Sequence, residues 1–172
     1  MVIFCHGYKG FKDWGPWNLV AKAFAEAGFF FLKFNFSHNG GTIHNPIDFP
    51  DLEAFALNNY SKELEDLENI IQLVTNTEQF REEAQVSNIS LIGHSRGGGV
   101  VLIKAEENEL VKKVVTWAGV SDFKLRFQEG SESFKKWKET GRTFVETGVP
   151  NNKCHTIGSF MKISNKTKRV SL

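Results

Sequence analysis

The sequence contains few cysteines and prolines, the residues that cross-link or stiffen many small or secreted proteins. Of 172 residues, two are cysteine and four are proline. The cysteines, Cys5 and Cys154, do not have the close spacing of metal ligands, and no basic leader precedes the first apolar residues. We therefore expect a cytoplasmic protein without a structural disulfide, in which Cys5 is a small core residue.

Long hydrophobic runs and an excess of one charge are also missing. No apolar stretch approaches the roughly 18 residues of a membrane-spanning helix. The formal net charge is +1, which gives no electrostatic basis for a nucleic-acid or membrane partner. Phenylalanine, by contrast, occurs 16 times against two tyrosines. This composition and length indicate one domain with a packed apolar core.

Apolar runs alternate with helical patterns along most of the chain, an order typical of a parallel sheet with helices on both faces. Short β-rich runs mark the strands, and apolar residues three and four positions apart mark the helices. The predicted strands are 2–5, 29–36, 86–92 and 111–120, and the predicted helices are 17–27, 57–74, 99–107 and 131–139. We expect a three-layer, mostly parallel α/β fold.

A glycine-framed serine stands between the third predicted strand and the following helix. The segment Gly93-His94-Ser95-Arg96-Gly97 fits the pattern G-x-S-x-G, which forms a nucleophile elbow when a strand precedes it and a helix follows. The turn exposes the serine hydroxyl and leaves the N–H of Arg96 at a helix start, where an oxyanion can bind. The alternative is a purely structural turn.

A second glycine loop follows the first predicted strand. His6-Gly7-Tyr8 would bring the Tyr8 N–H toward the serine as the second donor of an oxyanion hole. Alternatively, this segment is a simple strand-to-helix turn in which His6 is only a hydrogen-bonded packing residue.

Five segments together carry a family resemblance: His6-Gly7, 9–17, 34–40, 93–98 and 117–122. They resemble the α/β-hydrolases, and within them the branch that is dienelactone-hydrolase-like or prolyl-oligopeptidase-like. The resemblance implies a serine hydrolase that attacks a small acyl ester, or a related acyl bond, through an acyl-enzyme on Ser95. It implies no cofactor, and it assigns the oxyanion donors to Tyr8 and Arg96.

The acid and the base of a catalytic triad are less clear. In the family both follow the nucleophile, and after Ser95 the chain has one aspartate, Asp122, and one histidine, His155. Asp122 could instead cap the turn that it begins. If His155 is not the catalytic base, the alternative is that the chain is a catalytically silent hydrolase-fold fragment or pseudo-enzyme.

The resemblance also implies strands before the first and after the last one found here. We therefore expect residues 1–172 to be a single partial domain that lacks the first and last strands. Its end, 146–172, is an atypical basic tail: residues 151–172 hold five lysines or arginines and no acidic residue. The first and fourth strands could then be unpaired edges through which copies of the chain associate.

The remaining histidines and tryptophans have weaker functional interpretations. We expect the side chain of His94 to point away from the serine hydroxyl. His38 and His44 lie in the loop after the second strand, where they either border the site or face solvent. Trp14 and Trp17 are expected to pack the first helix. The sequence shows no phosphate-binding loop and no metal-ligand cluster.

Overall fold

The computed structural model describes residues 1–123 and 130–141 of the chain. In this part the strands are β1 (Val2–Cys5), β2 (Phe31–Lys33), β3 (Ile89–His94) and β4 (Val111–Trp117). The helices are α1 (Trp17–Glu26), α2 (Leu52–Ala56), α3 (Tyr60–Asn76), α4 (Glu78–Glu83), α5 (Arg96–Glu107) and α6 (Glu132–Thr140).

The four strands form one sheet in the order β2-β1-β3-β4, and every pairing is parallel. The register aligns Cys5 with Gly93 and Ile92 with Val115. Because parallel strands end at the same edge, the loops after β1 and β3 lie next to each other. The predicted parallel α/β fold is confirmed.

Helices cover both faces of the sheet, as the sequence predicts. Ile3 and Leu91 point to the face packed by α3 and α5, where Leu67 and Val100 complete the largest core cluster. The residues that alternate with them, such as Phe4, point to the opposite face against α1. There Phe4 lies 4.6 Å from the ring of Trp17. Successive strand residues facing opposite sides explain the nearly continuous apolar run of β1.

The second strand is much shorter than its aromatic run predicts. The prediction of 29–36 was too long, since only Phe31–Lys33 pairs with β1. Beyond it, the Asn35 side chain accepts a hydrogen bond from the Lys12 N–H at 2.7 Å and donates one to the Pro46 carbonyl. These bonds hold the chain in a loop. Phe34 is buried there without a strand partner, so burial alone, rather than pairing, accounts for part of the aromatic pattern.

The helix after the serine begins earlier than predicted. Helix α5 starts at Arg96 and includes Gly97, Gly98 and Gly99, although glycine is a poor helix former. A Cβ on Gly98 would lie 2.6 Å from the Cα of Gly119. Close backbone packing at the start of α5 therefore outweighs the local preference against glycine.

Three smaller predictions were also wrong. The first strand is not an edge, because β1 pairs with both β2 and β3, whereas β4 borders the described sheet. Trp14 does not pack α1, since 60% of it is exposed. The sequence predicted no helix at Leu52–Ala56 or at Glu78–Glu83, where the structure has α2 and α4. Association through sheet edges stays a prediction.

Candidate active site

Ser95 occupies a strained turn between β3 and α5. Its backbone has φ 52° and ψ −117°, a region that costs a non-glycine residue on the order of 1–3 kcal/mol. Three hydrogen bonds hold it there. Its N–H donates to the Trp117 carbonyl at 2.9 Å, and its carbonyl accepts from the N–H groups of Gly98 and Val120 at 3.0 Å each. The surrounding sheet and helix therefore impose the elbow on this serine.

Glycine is required on either side of Ser95. A Cβ on Gly93 would lie 2.3 Å from the carbonyl oxygen of Gly97, and a Cβ on Gly97 would lie 2.4 Å from that of Cys5. Both contacts are with backbone, which cannot move aside as a side chain can. The start of α5 thus packs directly onto the end of β1.

The His6-Gly7-Tyr8 loop touches the elbow. A Cβ on Gly7 would lie 3.0 Å from the Cβ of Ser95, and the Gly10 N–H donates to the Gly7 carbonyl at 3.0 Å to close the loop. The ring of Tyr8 stacks on that of Phe55 with 5.3 Å between centroids. The structure therefore brings together Ser95, Gly7, Tyr8 and Arg96, the residues that the sequence analysis assigned to one site. Their catalytic roles stay predictions.

His6 has a structural part within this loop. It is 2% exposed, and its Nδ1 lies 2.9 Å from the Gly7 carbonyl while its Nε2 accepts from the Phe36 N–H at 3.3 Å. A carbonyl oxygen only accepts, so Nδ1 carries the proton. Burial lowers the pKa of His6 to about 4. Both nitrogens of this neutral imidazole are hydrogen-bonded to the backbone of the fold. This agrees with the alternative in which His6 is a hydrogen-bonded packing residue.

The side chain of Arg96 turns toward α3 and the glycine loop. Its Nε donates to the Glu63 carboxylate at 2.9 Å, and its guanidinium lies 4.2 Å from the ring centroid of Tyr60 and 5.1 Å from that of Tyr8. Its terminal nitrogen donates to Asn58 at 3.3 Å. Burial raises the pKa of Glu63, and the charge of Arg96 opposes that rise.

Sequence reasoning missed this cluster. It did not single out Glu63, which stands among several acidic residues of the long helix, and it considered Arg96 only for its backbone N–H. Glu63 is in fact 3% exposed. Nothing in the local sequence distinguishes it from its acidic neighbours, because its partner is 33 positions away.

The two triad candidates follow the elbow in the chain. Asp122 is exposed in the segment after β4, and His155 lies outside the described residues, as do Cys154 and the tail 146–172. The assignment of both residues to a triad stays a prediction.

The other candidates pack within the fold or lie exposed at its surface. The His94 ring packs 5.1 Å from that of Trp17, and burial lowers its pKa. The Nε2 of His38 accepts from Lys62 at 3.0 Å, and its Nδ1 lies 2.6 Å from the Ser37 hydroxyl. His44 is exposed.

Cys5 is a core residue, as predicted. It is 0% exposed, and burial, with the nearby charge of Glu63, raises the pKa of its thiol. Such a thiol is a poor nucleophile. Within 1–123 and 130–141, no three histidine, cysteine, aspartate or glutamate side chains cluster to hold a metal ion. The same ranges contain no helix that is long and apolar enough to cross a bilayer.

A parallel sheet with helices on both faces, whose central strand leads into a strained serine turn, defines the α/β-hydrolase class. The family model described as the alpha/beta hydrolase fold matches residues 1–171, and the chain belongs to this family.

Two solved structures share the fold. A protein assigned as a hydrolase from Agrobacterium vitis S4 is 19% identical with a TM-score of 0.64, over 91% of this chain and 57% of its own. A protein assigned as a dienelactone hydrolase from Klebsiella pneumoniae is 19% identical with a TM-score of 0.52, over 72% of this chain and 50% of its own. The chain thus spans about half the length of these neighbours. No curated protein matches the sequence.

Proposed function

We propose that this chain is a serine hydrolase that cleaves carboxylic esters of small or medium acyl groups through an acyl-enzyme on Ser95. The observation that carries the proposal is the strained backbone of Ser95, which three hydrogen bonds to Trp117, Gly98 and Val120 maintain, beside the Gly7 loop. Strain at a serine between a central strand and a helix start has a ready explanation in nucleophilic catalysis.

In the proposed reaction the Ser95 oxygen attacks the ester carbonyl while a base takes the hydroxyl proton. The negative charge that forms on the carbonyl oxygen is received by the N–H groups of Tyr8 and Arg96. Arg96 is the first residue of α5, so the positive end of the helix dipole adds to this stabilisation. Collapse of the intermediate breaks the bond to the alcohol oxygen, which takes the proton from the base, and water then hydrolyses the acyl-enzyme.

The proposed base is His155, with Asp122 as the carboxylate that orients it. Asp122 comes five residues after the end of β4, and β4 ends at the same edge of the sheet as β3, which leads into Ser95. This chain order, serine then acid then histidine, is the one that α/β-hydrolases use. The reaction needs no cofactor.

A second candidate is a hydrolase-fold protein that binds an acyl compound without cleaving it. One observation favours it: His6 and His38 already engage both ring nitrogens within the fold. Without a base the serine hydroxyl stays a weak nucleophile. The two functions therefore differ in whether Ser95 is activated.

A fluorophosphonate probe tests the proposal directly, because it labels activated serines. Intact mass should show one adduct on the chain, and Ser95→Ala should remove it. His155→Ala should slow labelling by at least about a hundredfold, since general-base assistance contributes factors of this order. A chain that unfolds cooperatively but gains no adduct, or an adduct that survives Ser95→Ala, would refute the proposed hydrolase.

A further inference from the structure

The guanidinium of Arg96 links the two loops of the candidate site. It lies over the ring of Tyr8 at 5.1 Å and over that of Tyr60 at 4.2 Å, both within the range of cation–π attraction. Tyr8 and Arg96 are also the residues whose N–H groups we assign to the oxyanion hole. The side chain of one proposed donor residue therefore packs on the ring of the other.

Glu63 fixes the guanidinium in this position. Its carboxylate accepts from Arg96 Nε at 2.9 Å, and the side chains of Arg96 and Glu63 are 14% and 4% exposed, respectively. A buried ion pair of this kind is costly to break, because removing one partner leaves the other charged and unpaired. We call the set Glu63, Arg96, Tyr8 and Tyr60 the arginine cluster.

The cluster connects three elements of the fold through their side chains. Glu63 and Tyr60 belong to α3, Arg96 begins α5, and Tyr8 lies in the loop after β1. The ring of Tyr8 also stacks on that of Phe55 of α2, with 5.3 Å between centroids. A shift of the guanidinium would therefore change how the Tyr8 loop sits against the elbow.

We propose that Glu63 is a positioning residue of the oxyanion hole: by holding the Arg96 guanidinium against the Tyr8 ring, it sets the relative position of the two N–H donors. This inference rests on the proposed function, since it assigns a role in the same site.

The chain supplies a matched control on the same two helices. Glu68 of α3 pairs with Lys104 of α5 at 3.2 Å. Lys104 lies eight residues after Arg96, or about 12 Å further along the helix axis. Glu68→Gln thus removes an α3–α5 ion pair without touching the candidate site.

The test compares Glu63→Gln, Arg96→Lys and Glu68→Gln on an ester and on the corresponding thionoester. Glutamine keeps the size of Glu63, and lysine keeps the charge of Arg96 but loses the planar face that stacks on Tyr8. Sulfur accepts hydrogen bonds poorly, so the thionoester gains less from the oxyanion hole. Misplaced donors should therefore lower kcat for the ester about tenfold or more, which is less than the loss from deleting one donor. The rate for the thionoester should fall much less.

The expected result is a fall in the ester-to-thionoester rate ratio in Glu63→Gln and Arg96→Lys, with KM within about twofold and Glu68→Gln unchanged. If both variants keep the wild-type ratio, the inference is wrong, even where their total activity falls through partial unfolding.

Residual dipolar couplings of the backbone N–H bonds separate this inference from the proposed function, because they report the orientation of each donor. Glu63→Gln should change the couplings of Tyr8 and Arg96, while Glu68→Gln leaves them unchanged. If the wild-type chain hydrolyses neither substrate, the proposed function fails; changed couplings would then still support the positional link. Unchanged couplings at both donors would overturn it in an active or an inactive chain.

Discussion

Within the described residues, the central and the edge strands of the sheet differ in burial and in what their ends carry. In β1 and β3 the apolar residues are almost fully buried, as in Phe4 at 0% and Ile92 at 3% exposed. In the edge strand β4, Val115 is 46% exposed although it is the register partner of Ile92. Strand β2 has three residues, all partly exposed.

The candidate site is built on the central strands. Its glycine loop and its serine elbow continue from β1 and β3, the two strands that are packed from both faces. Such strands allow little movement, and rigid elements hold reacting groups more accurately than mobile ones. The comparison suggests that changes at the centre should disturb both stability and the site, while changes at the edges should disturb neither strongly.

The largest expected effect on stability comes from adding a methyl group where the backbones of β1 and α5 touch. Gly97→Ala places a Cβ 2.4 Å from the Cys5 carbonyl oxygen and 2.5 Å from that of His6. Because neither backbone group can move without distorting the sheet, we expect a loss of more than about 4 kcal/mol in the free energy of unfolding. Urea denaturation measures it.

Gly15→Ala provides a scale for that substitution. Gly15 has φ +65°, but a Cβ at this position would have no atom within 4 Å, so only backbone strain of about 1–2 kcal/mol is expected. Gly97 lies in α5 without a positive φ, so a loss at Gly97→Ala no larger than that at Gly15→Ala would show that the β1–α5 contact relaxes around the added methyl group.

Acidification should act through His6, at the end of the central strand. Its pKa falls from 6.5 to about 4 on folding because burial disfavours the charged form. The unfolded chain therefore binds more protons between these values, and stability falls as pH drops from about 6.5 to 4. The full contribution is about 3 kcal/mol, measured by urea denaturation at several pH values.

His6→Gln should remove this part of the pH dependence, whatever it does to stability at neutral pH. His44→Gln, in an exposed loop, should keep the wild-type slope. A His6→Gln variant with an unchanged slope between pH 6.5 and 5 would assign the acid sensitivity to other groups.

The parts of the molecule that the sequence could predict are those fixed by neighbouring residues. The elbow depends on Gly93 and Gly97 around Ser95, and the parallel order follows from the alternation of strands and helices. The two-faced burial of β1 is likewise visible in its continuous apolar run.

What could not be predicted depends on distant partners. The Glu63–Arg96 pair joins residues 33 positions apart, and the packing role of His6 is decided by a hydrogen bond from Phe36. The extent of β2 was overestimated because aromatic residues such as Phe34 are buried by a loop as well as by a sheet.

The smallest expected effects come from two residues that are register partners, Ile92 of the central strand β3 and Val115 of the edge strand β4. Ile92→Val removes one methyl group from a buried position and should lower the free energy of unfolding by about 1 kcal/mol. Val115→Ala removes two methyl groups from its half-exposed neighbour, yet should cost no more than about 0.5 kcal/mol, as surface changes usually do. If thermal and urea unfolding show a larger loss for Val115→Ala, β4 is more deeply packed in solution than its 46% exposure indicates, and the division between central and edge strands would not hold.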